Sequence, residues 1–284
     1  MPQGPRKMPI RFCLNRTCAP QVSLPQFIAL AVGAGVTAVE IRNDIEGREF
    51  ADGTPAAEVR ARLDATGLAV ASVNALQRFN DWSPAREAEA RALVAYTAAL
   101  GAPGLVLCPR HDEGNGWTEA EAERNLRDGL RRLRPILRDH GVTGYVEPLG
   151  MRGSTMKRQD MAVAAVTDID GWDAYLLCYD TFQFFRCGDT QLFPHHVGLA
   201  HMSGISRTDL APGDLTEPDR GLIFVGDRVG NVAQLRKLVE AGYEGFVSME
   251  PFSPEVQTDP GLQGHLRASL DYVAALISPT KSRT

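Results

Sequence analysis

Short apolar, β-rich runs alternate along the chain with longer amphipathic stretches, the rhythm of parallel strands joined by crossover helices. Eight runs carry the strand signal: IRFCL from Ile10, AVEIR from Ala38, AVASVNAL from Ala69, GLVLCP from Gly104, VTGYVEPLG from Val142, YLLCYDTF from Tyr175, VGLAHMSG from Val197 and GFVSMEPF from Gly245. Helical periodicity falls near residues 23–34, 55–66, 84–101, 118–140, 156–167, 231–242 and 260–277. Starts are marked by Ser23, by Thr54 with Pro55, by Ser83 with Pro84, and by Thr118 before acidic residues that suit the positive end of a helix. Stops fall near Gly35, Gly67, Gly101 and Gly242, where glycine adopts the left-handed conformation at little cost. No Ser/Pro/Gly-rich linker interrupts the series. Eight βα units without an antiparallel run predict an α/β chain forming a single (β/α)8 (TIM) barrel over residues 10–284, preceded by a flexible N-terminus at residues 1–9.

The chain has 284 residues, enough for two domains but also close to the roughly 250 of one barrel, so the βα rhythm decides. With 30 Lys+Arg against 35 Asp+Glu, the formal charge is −5, and the pI near 5.7 argues against a protein that grips nucleic acid through phosphates. No apolar run approaches the roughly 18–20 residues of a membrane span, and MPQGPRKMP lacks the apolar stretch of a secretory signal. A cytoplasmic protein with no membrane partner is expected. The five cysteines, Cys13, Cys18, Cys108, Cys178 and Cys187, form no CxxC pair, which disfavours a zinc ribbon, and three of them lie inside apolar runs as small buried hydrophobes.

A barrel of this kind carries its chemistry at the C-terminal ends of its strands. The runs end in Glu40 and Arg42-Asn43-Asp44, Asn74, Arg110-His111-Asp112, Glu147, Asp180, His201 and Glu250. Three carboxylates and an imidazole on four consecutive strands, Glu147, Asp180, His201 and Glu250, suit one divalent ion such as Mn2+, Co2+, Mg2+ or Zn2+, because carboxylates gathered without a cation repel one another. Taken singly, a strand-end carboxylate often pairs with an arginine; the coincidence of four is what points to a metal. Around them Arg42, Asn74, Lys157, Arg207 and Arg220 are candidates to bind a polyhydroxylated ring or, as the second choice, a phosphate, with an ion pair to Asp44 the competing role for Arg42 and solvated charge that for Lys157 and Arg207. Trp117, after HDEGNG, stands where either a lid residue or a helix-start packing residue belongs. The segment GLIFVGDRVGN lacks the GK[ST] ending of a phosphate loop, and Ser203, Ser206 and Ser248 have no GxSxG context.

The segments VEPLG at Glu147, YDTF at Asp180, AHMSG at His201 and SMEPF at Glu250 resemble the metal-binding strands of the xylose-isomerase-like superfamily of sugar isomerases and epimerases. Within it, AVEIRND (38–44), VNALQRFN (73–80), VGDRVGN (225–231) and GFVSMEPF resemble inosose (2-keto-myo-inositol) isomerases most, over roughly residues 10–277. The resemblance implies a metal held by Glu147, Asp180, His201 and Glu250, with Glu147 or Glu250 moving a proton. It places Arg207 on substrate oxygens, as related ketose epimerases do with an arginine beyond the strand-seven histidine. One departure stands out: many relatives have His three residues after the strand-six Asp, and this chain has Gln183, which hydrogen-bonds but carries no charge. The resemblance implies metal-dependent isomerisation of a polyol ketone through an enediolate. The same metal cup also serves ketose 3-epimerases, dehydratases of inosose or dehydroshikimate type, and a non-catalytic sugar-binding barrel. The apurinic endonuclease branch shares the fold, but its additional metal-binding histidines have no counterpart in six His that fall mostly away from strand ends. Oligomeric state is not encoded in these patterns, although the helices at 83–100 and 118–140 offer faces for a homo-oligomer.

Overall fold

In the computed structural model, which describes residues 10–277, eight parallel strands close in sequence order, each hydrogen-bonded to the next and the last to the first. They are β1 (Arg11–Asn15), β2 (Ala38–Arg42), β3 (Ala69–Leu76), β4 (Gly104–Leu107), β5 (Thr143–Val146), β6 (Tyr175–Asp180), β7 (Val197–Met202) and β8 (Phe246–Met249). Outside lie α1 (Leu24–Ala34), α2 (Ala56–Asp64), α3 (Pro84–Leu100), α4 (Glu119–His140), α5 (Gln159–Asp168), α6 (Thr181–Arg186), α7 (Asn231–Glu240), α8 (Pro254–Gln257) and α9 (Leu262–Ile277). The fold is therefore the single (β/α)8 barrel that the alternation predicts. The expected flexible N-terminus at 1–9 lies outside the described residues, as do residues 278–284.

The period of two along each strand sorts side chains between two cores. One set packs the strands against the helices: Val39 and Ile41 of β2, Leu105 and Leu107 of β4, and Met202 and Met249 of β7 and β8, against Phe27, Leu93, Leu130 and Leu266. The other set fills the barrel, with Cys13, Ala38, Val106, Tyr145, Cys178, Leu199 and Phe246 forming its apolar layer. Continuing the same inward series toward the strands' C-terminal ends brings the polar residues Asn15, Glu40, Glu147, Asp180, His201 and Glu250, all buried. The apolar layer thus forms a floor beneath a polar mouth.

Local signals place most helices as expected. Thr118 and Glu121 form a reciprocal capping box at the start of α4, and Gly35 and Gly101 close α1 and α3 in the left-handed conformation. Two details differ. Pro55, not Thr54, occupies the N-cap position of α2. The strand signal read through Phe182 stops at Asp180, because the Asp180 side chain accepts from the backbone N–H groups of Phe182 (2.7 Å) and Gln183 (3.3 Å) and starts α6 there. No helix among the described residues is long and apolar enough to cross a membrane.

Candidate metal centre

Each of the four expected ligands is delivered by the end of a strand. Asp180 is the last residue of β6 and His201 lies within β7. Glu147 and Glu250 stand one residue past β5 and β8, held there by their own N–H groups donating to Leu107 O (3.0 Å) and Met202 O (2.9 Å). Parallel pairing across β6 and β7 sets Asp180 beside His201, and pairing across β7 and β8 sets His201 beside Ser248. The result is a cluster in which one ligand atom from each of Glu147, Asp180, His201 and Glu250 lies within 4.8 Å of every other, all four residues buried.

The imidazole is the centre of the cluster. Nδ1 of His201 is 3.3 Å from Glu147 Oε1 and 3.2 Å from Glu250 Oε2, while Nε2 donates to Glu40 Oε2 at 3.2 Å. With Nε2 carrying its proton toward Glu40, Nδ1 presents a lone pair to two carboxylates, an arrangement that requires a positive centre between them. Either a ring proton or a metal ion meets that need. Burial alone pushes the His201 pKa down, but Cys178, Glu250, Glu40 and Glu147 outweigh it and hold the ring well above its ordinary value. Glu40 is the carboxylate partner that commonly fixes the tautomer of a metal-binding histidine. It is itself held by Asn15 Nδ2 (3.2 Å) and Ser72 Oγ (2.5 Å).

Charge leads to the same requirement. Four carboxylates line the buried ring, those of Glu40, Glu147, Asp180 and Glu250, against two guanidiniums, those of Arg42 and Arg220. With His201 neutral the carboxylates outnumber the guanidiniums, which are shared in addition with Asp44 and Glu217, so the ring carries an excess of negative charge that a divalent ion would offset. The distances from His201 Nδ1 to Glu147 and Glu250, 3.3 and 3.2 Å, agree with this, since a tetrahedral ion with bonds of roughly 2.0–2.1 Å to nitrogen and oxygen separates its ligand atoms by about 3.3 Å. The donor set of one nitrogen and three carboxylates therefore fits a divalent metal.

The two glutamates differ. Glu250 takes Asn15 Nδ2 (3.0 Å), Arg42 Nη1 (3.2 Å) and Asn74 Nδ2 (3.3 Å) on Oε1, and Arg220 Nη2 (2.9 Å) on Oε2. Burial works to raise its pKa, but His201, Arg220 and Arg42 hold it well below the usual carboxylate range. Glu147 meets the Nδ1 edge of His201 and, at 3.5 Å, the weak thiol donor Cys108. For Asp180, burial pushes the pKa up and Arg220 pulls it back, and the Glu250 and Glu147 charges leave the balance above the ordinary range.

A cavity of about 180 Å³ opens above Glu147 and Glu250, walled by Arg42, Asn74, Gln77, His111, Gln183, Glu217, Arg220 and Phe252. Arg220 reaches it through a close backbone approach. Gly204 and Gly221 exchange two hydrogen bonds of 2.8 Å, and a Cβ at Gly204 would stand 2.2 Å from Leu222 O. That bridge folds the loop after β7 back over the barrel mouth, where the Arg220 guanidinium spans Asp180 (2.8 Å), Glu250 (2.9 Å) and Glu217 (2.7 Å) between the rings of Phe182 and Phe252. Gln183 is clamped on both sides: Gly150 N–H donates to Oε1 (2.9 Å), and Nε2 donates to Glu217 Oε1 (3.1 Å). A Cβ at Gly150 would lie 2.2 Å from the Gln183 carbonyl oxygen, so glycine permits the contact.

Not every expected site residue arrives here. Arg42, Asn74, Gln183 and Arg220 line the cavity, and Arg42 makes both its Asp44 pair (2.5 Å) and its Glu250 contact. Lys157 does not: it is exposed just before α5 and is not part of the wall. Arg207 is also outside. It is exposed, ion-paired to Asp209 (2.6 Å) and Asp219 (3.0 Å), and lines a separate open groove of about 720 Å³ with Phe224, Asp227, Glu255 and His265. The loop's return at Gly204–Gly221 brings Arg220 over the barrel in its stead. Trp117 packs beneath the Arg110 guanidinium at the start of α4, away from this cavity. Conversely, the cavity and its supports include Glu40, His111, Gln77 and Glu217, which the sequence does not single out as site residues. Glu40 and His111 carry the strand-end signal; Glu217 lies in a loop whose path no periodicity reveals.

No curated protein matches the chain in sequence. Among solved structures, a xylose isomerase domain containing protein from Salmonella typhimurium LT2 is similar with a TM-score of 0.85 and 24% identity, over 96% of this chain and 99% of that one. The IolI protein with a bound zinc atom gives 0.84 and 21%, over 95% and 98%. An L-ribulose 3-epimerase gives 0.70 and 18%, over 94% and 95%. The family model described as a xylose isomerase-like TIM barrel matches residues 28–273, and the chain belongs to that family.

Proposed function

We propose that this protein is a divalent-metal-dependent isomerase of a cyclic polyol ketone, of the 2-keto-myo-inositol (inosose) type. The observation that carries the reading is the cavity: about 180 Å³ of space floored by Glu147 and Glu250 and walled by hydrogen-bonding groups. Its volume is of the class that accepts a single six-membered ring.

Moving a ketone to the neighbouring carbon requires loss of a proton from the carbinol carbon, an enediolate, and return of the proton next door. Glu147 is the residue suited to carry that proton, because its carboxylate faces the cavity and meets no guanidinium or amide, only the Cys108 thiol on Oε2 and the His201 ring on Oε1. Glu250 is fixed by two guanidiniums and two amides, which stabilise its ionised form and make it a poor base. One proton-carrying carboxylate favours isomerisation, in which a single base serves one face. Epimerisation at one carbon calls for a proton-carrying group on each face, and Glu250 is less suited to that task. Glu147, Asp180, His201 and Glu250 would hold the divalent ion, which supplies electrostatic stabilisation for negative charge developing on adjacent substrate oxygens. Arg220, Asn74, Gln183 and His111 orient the ring hydroxyls, and Phe252 covers an apolar ring face.

The test is a proton NMR time course of 2-keto-myo-inositol in D2O with metal-reconstituted protein and an EDTA-treated control. Metal-dependent loss of the signal α to the ketone, with a new inosose appearing, supports the proposal. No exchange with this ketone, combined with exchange into a ketohexose, would transfer the activity to a ketose epimerase; no exchange into either would leave a dehydratase or a sugar-binding barrel.

A further inference from the structure

Beneath the four-residue cup lies a second group of donors that shares two of its members. Cys178 stands two residues before Asp180 on β6, on the same inward face but one layer deeper. Its Sγ is 3.5 Å from Nδ1 of His201, the nitrogen that faces Glu147 and Glu250. One ligand atom from each of Glu147, Cys178 and His201 lies within 4.8 Å of the others, all three buried. A tetrahedral ion with a bond of roughly 2.3 Å to sulfur and roughly 2.0–2.1 Å to nitrogen holds those two atoms about 3.5 Å apart.

We propose that Cys178 is a conditional metal ligand, engaged by thiophilic ions such as Zn2+, Co2+ or Cd2+, which settle toward Glu147, His201 and Cys178, and not by Mg2+ or Mn2+, which stay on the carboxylates. Softness of the donor decides the position, since thiolate selects the thiophilic ions and carboxylate the hard ones. The step balances without an oxidant: the Cys178 S–H bond breaks, its proton leaves to solvent, and a sulfur–metal bond forms with no change in oxidation state. Cys108 is the neighbouring alternative, but it points to the other oxygen of Glu147, Oε2, at 3.5 Å. The inference rests on the reading that the cup holds a divalent ion.

Titration of the purified chain with Co2+ alone tests it, because cobalt reports sulfur through a near-ultraviolet charge-transfer band and binding itself through visible bands. Wild type is expected to show both. Cys178→Ser should keep the visible bands, lose the near-ultraviolet one, and bind Co2+ and Cd2+ roughly tenfold or more weakly, with Mn2+ affinity unchanged. Cys178→Ala, checked for fold by circular dichroism, should behave alike. Visible bands in wild type without the near-ultraviolet band overturn the proposal, and so does a band that survives in Cys178→Ser and disappears in Cys108→Ser. Failure of wild type to bind cobalt at all would instead overturn the metal reading, and this inference with it.

Discussion

Arg220 and Arg207 lie thirteen positions apart in one loop region, and each bridges acidic side chains: Arg220 spans Asp180, Glu250 and Glu217, and Arg207 spans Asp209 and Asp219. Their surroundings separate them. Arg220 is 2% exposed and sandwiched between Phe182 and Phe252, whereas Arg207 is open to water beside the large groove. In water the attraction is screened and a broken pair is rehydrated; in the interior, removing one partner strands the other charges without solvent. The same local chemistry is therefore of large consequence for stability in one case and of small consequence in the other. Burial, which the local sequence does not announce, makes the difference.

The largest effect expected is on turnover. Glu147→Gln keeps the size of the side chain and removes the proton carrier, and should lower kcat by roughly 10²–10⁴-fold in the NMR exchange assay. A variant that retains its metal and turns over within a few-fold of wild type would remove Glu147 from the mechanism. Next comes Arg220→Met, which leaves Asp180 and Glu250 buried beside each other without their shared guanidinium. A loss of about 3–5 kcal/mol in urea denaturation is expected, and a loss below about 1 kcal/mol would place Arg220 in the same class as Arg207.

The effect of pH sharpens the contrast further. The folded-state pKa of His201 lies above the value near 6.5 expected of an unfolded chain. Protonation of this ring thus stabilises the fold below that pH, and the contribution is lost as pH rises through the folded value. A divalent ion needs the neutral ring and so moves the opposite way, its affinity weakening as pH falls and its binding releasing protons. Calorimetry in buffers of different ionisation enthalpy measures that release; pH-independent affinity between pH 5 and 8 would contradict it. The smallest effect belongs to the exposed cations: Arg207→Ala and Lys157→Ala should each leave kcat/KM within about twofold, as surface ion pairs and solvated charges do. A tenfold loss for Arg207→Ala would mean that the loop moves it onto the substrate.

These contrasts also mark what could be read from residues alone. The eight strands, their order and the four clustered ligands followed from alternation and from the rule that polar residues end barrel strands, because both are local properties of the chain. Glu40 carried the same strand-end signal, yet its role as the partner of His201 Nε2 depends on a contact across 161 positions. The resemblance points to Arg207, but the close approach at Gly204–Gly221, a contact between distant residues, brings Arg220 over the mouth. No separate signal marks helix α6, because Asp180 both ends β6 and caps that helix. Gln183 stands out by its position after the strand-six Asp, but its clamp between Gly150 and Glu217 involves residues far away in sequence.

The central claim is that Glu147, Asp180, His201 and Glu250 form one metal centre. Metal analysis of wild type and His201→Ala, equilibrated side by side with the same divalent ion and then dialysed, tests it most directly. About one ion per chain in wild type and a substoichiometric amount in His201→Ala, with both proteins folded, is the result predicted. Equal metal content in the two proteins would contradict the assignment.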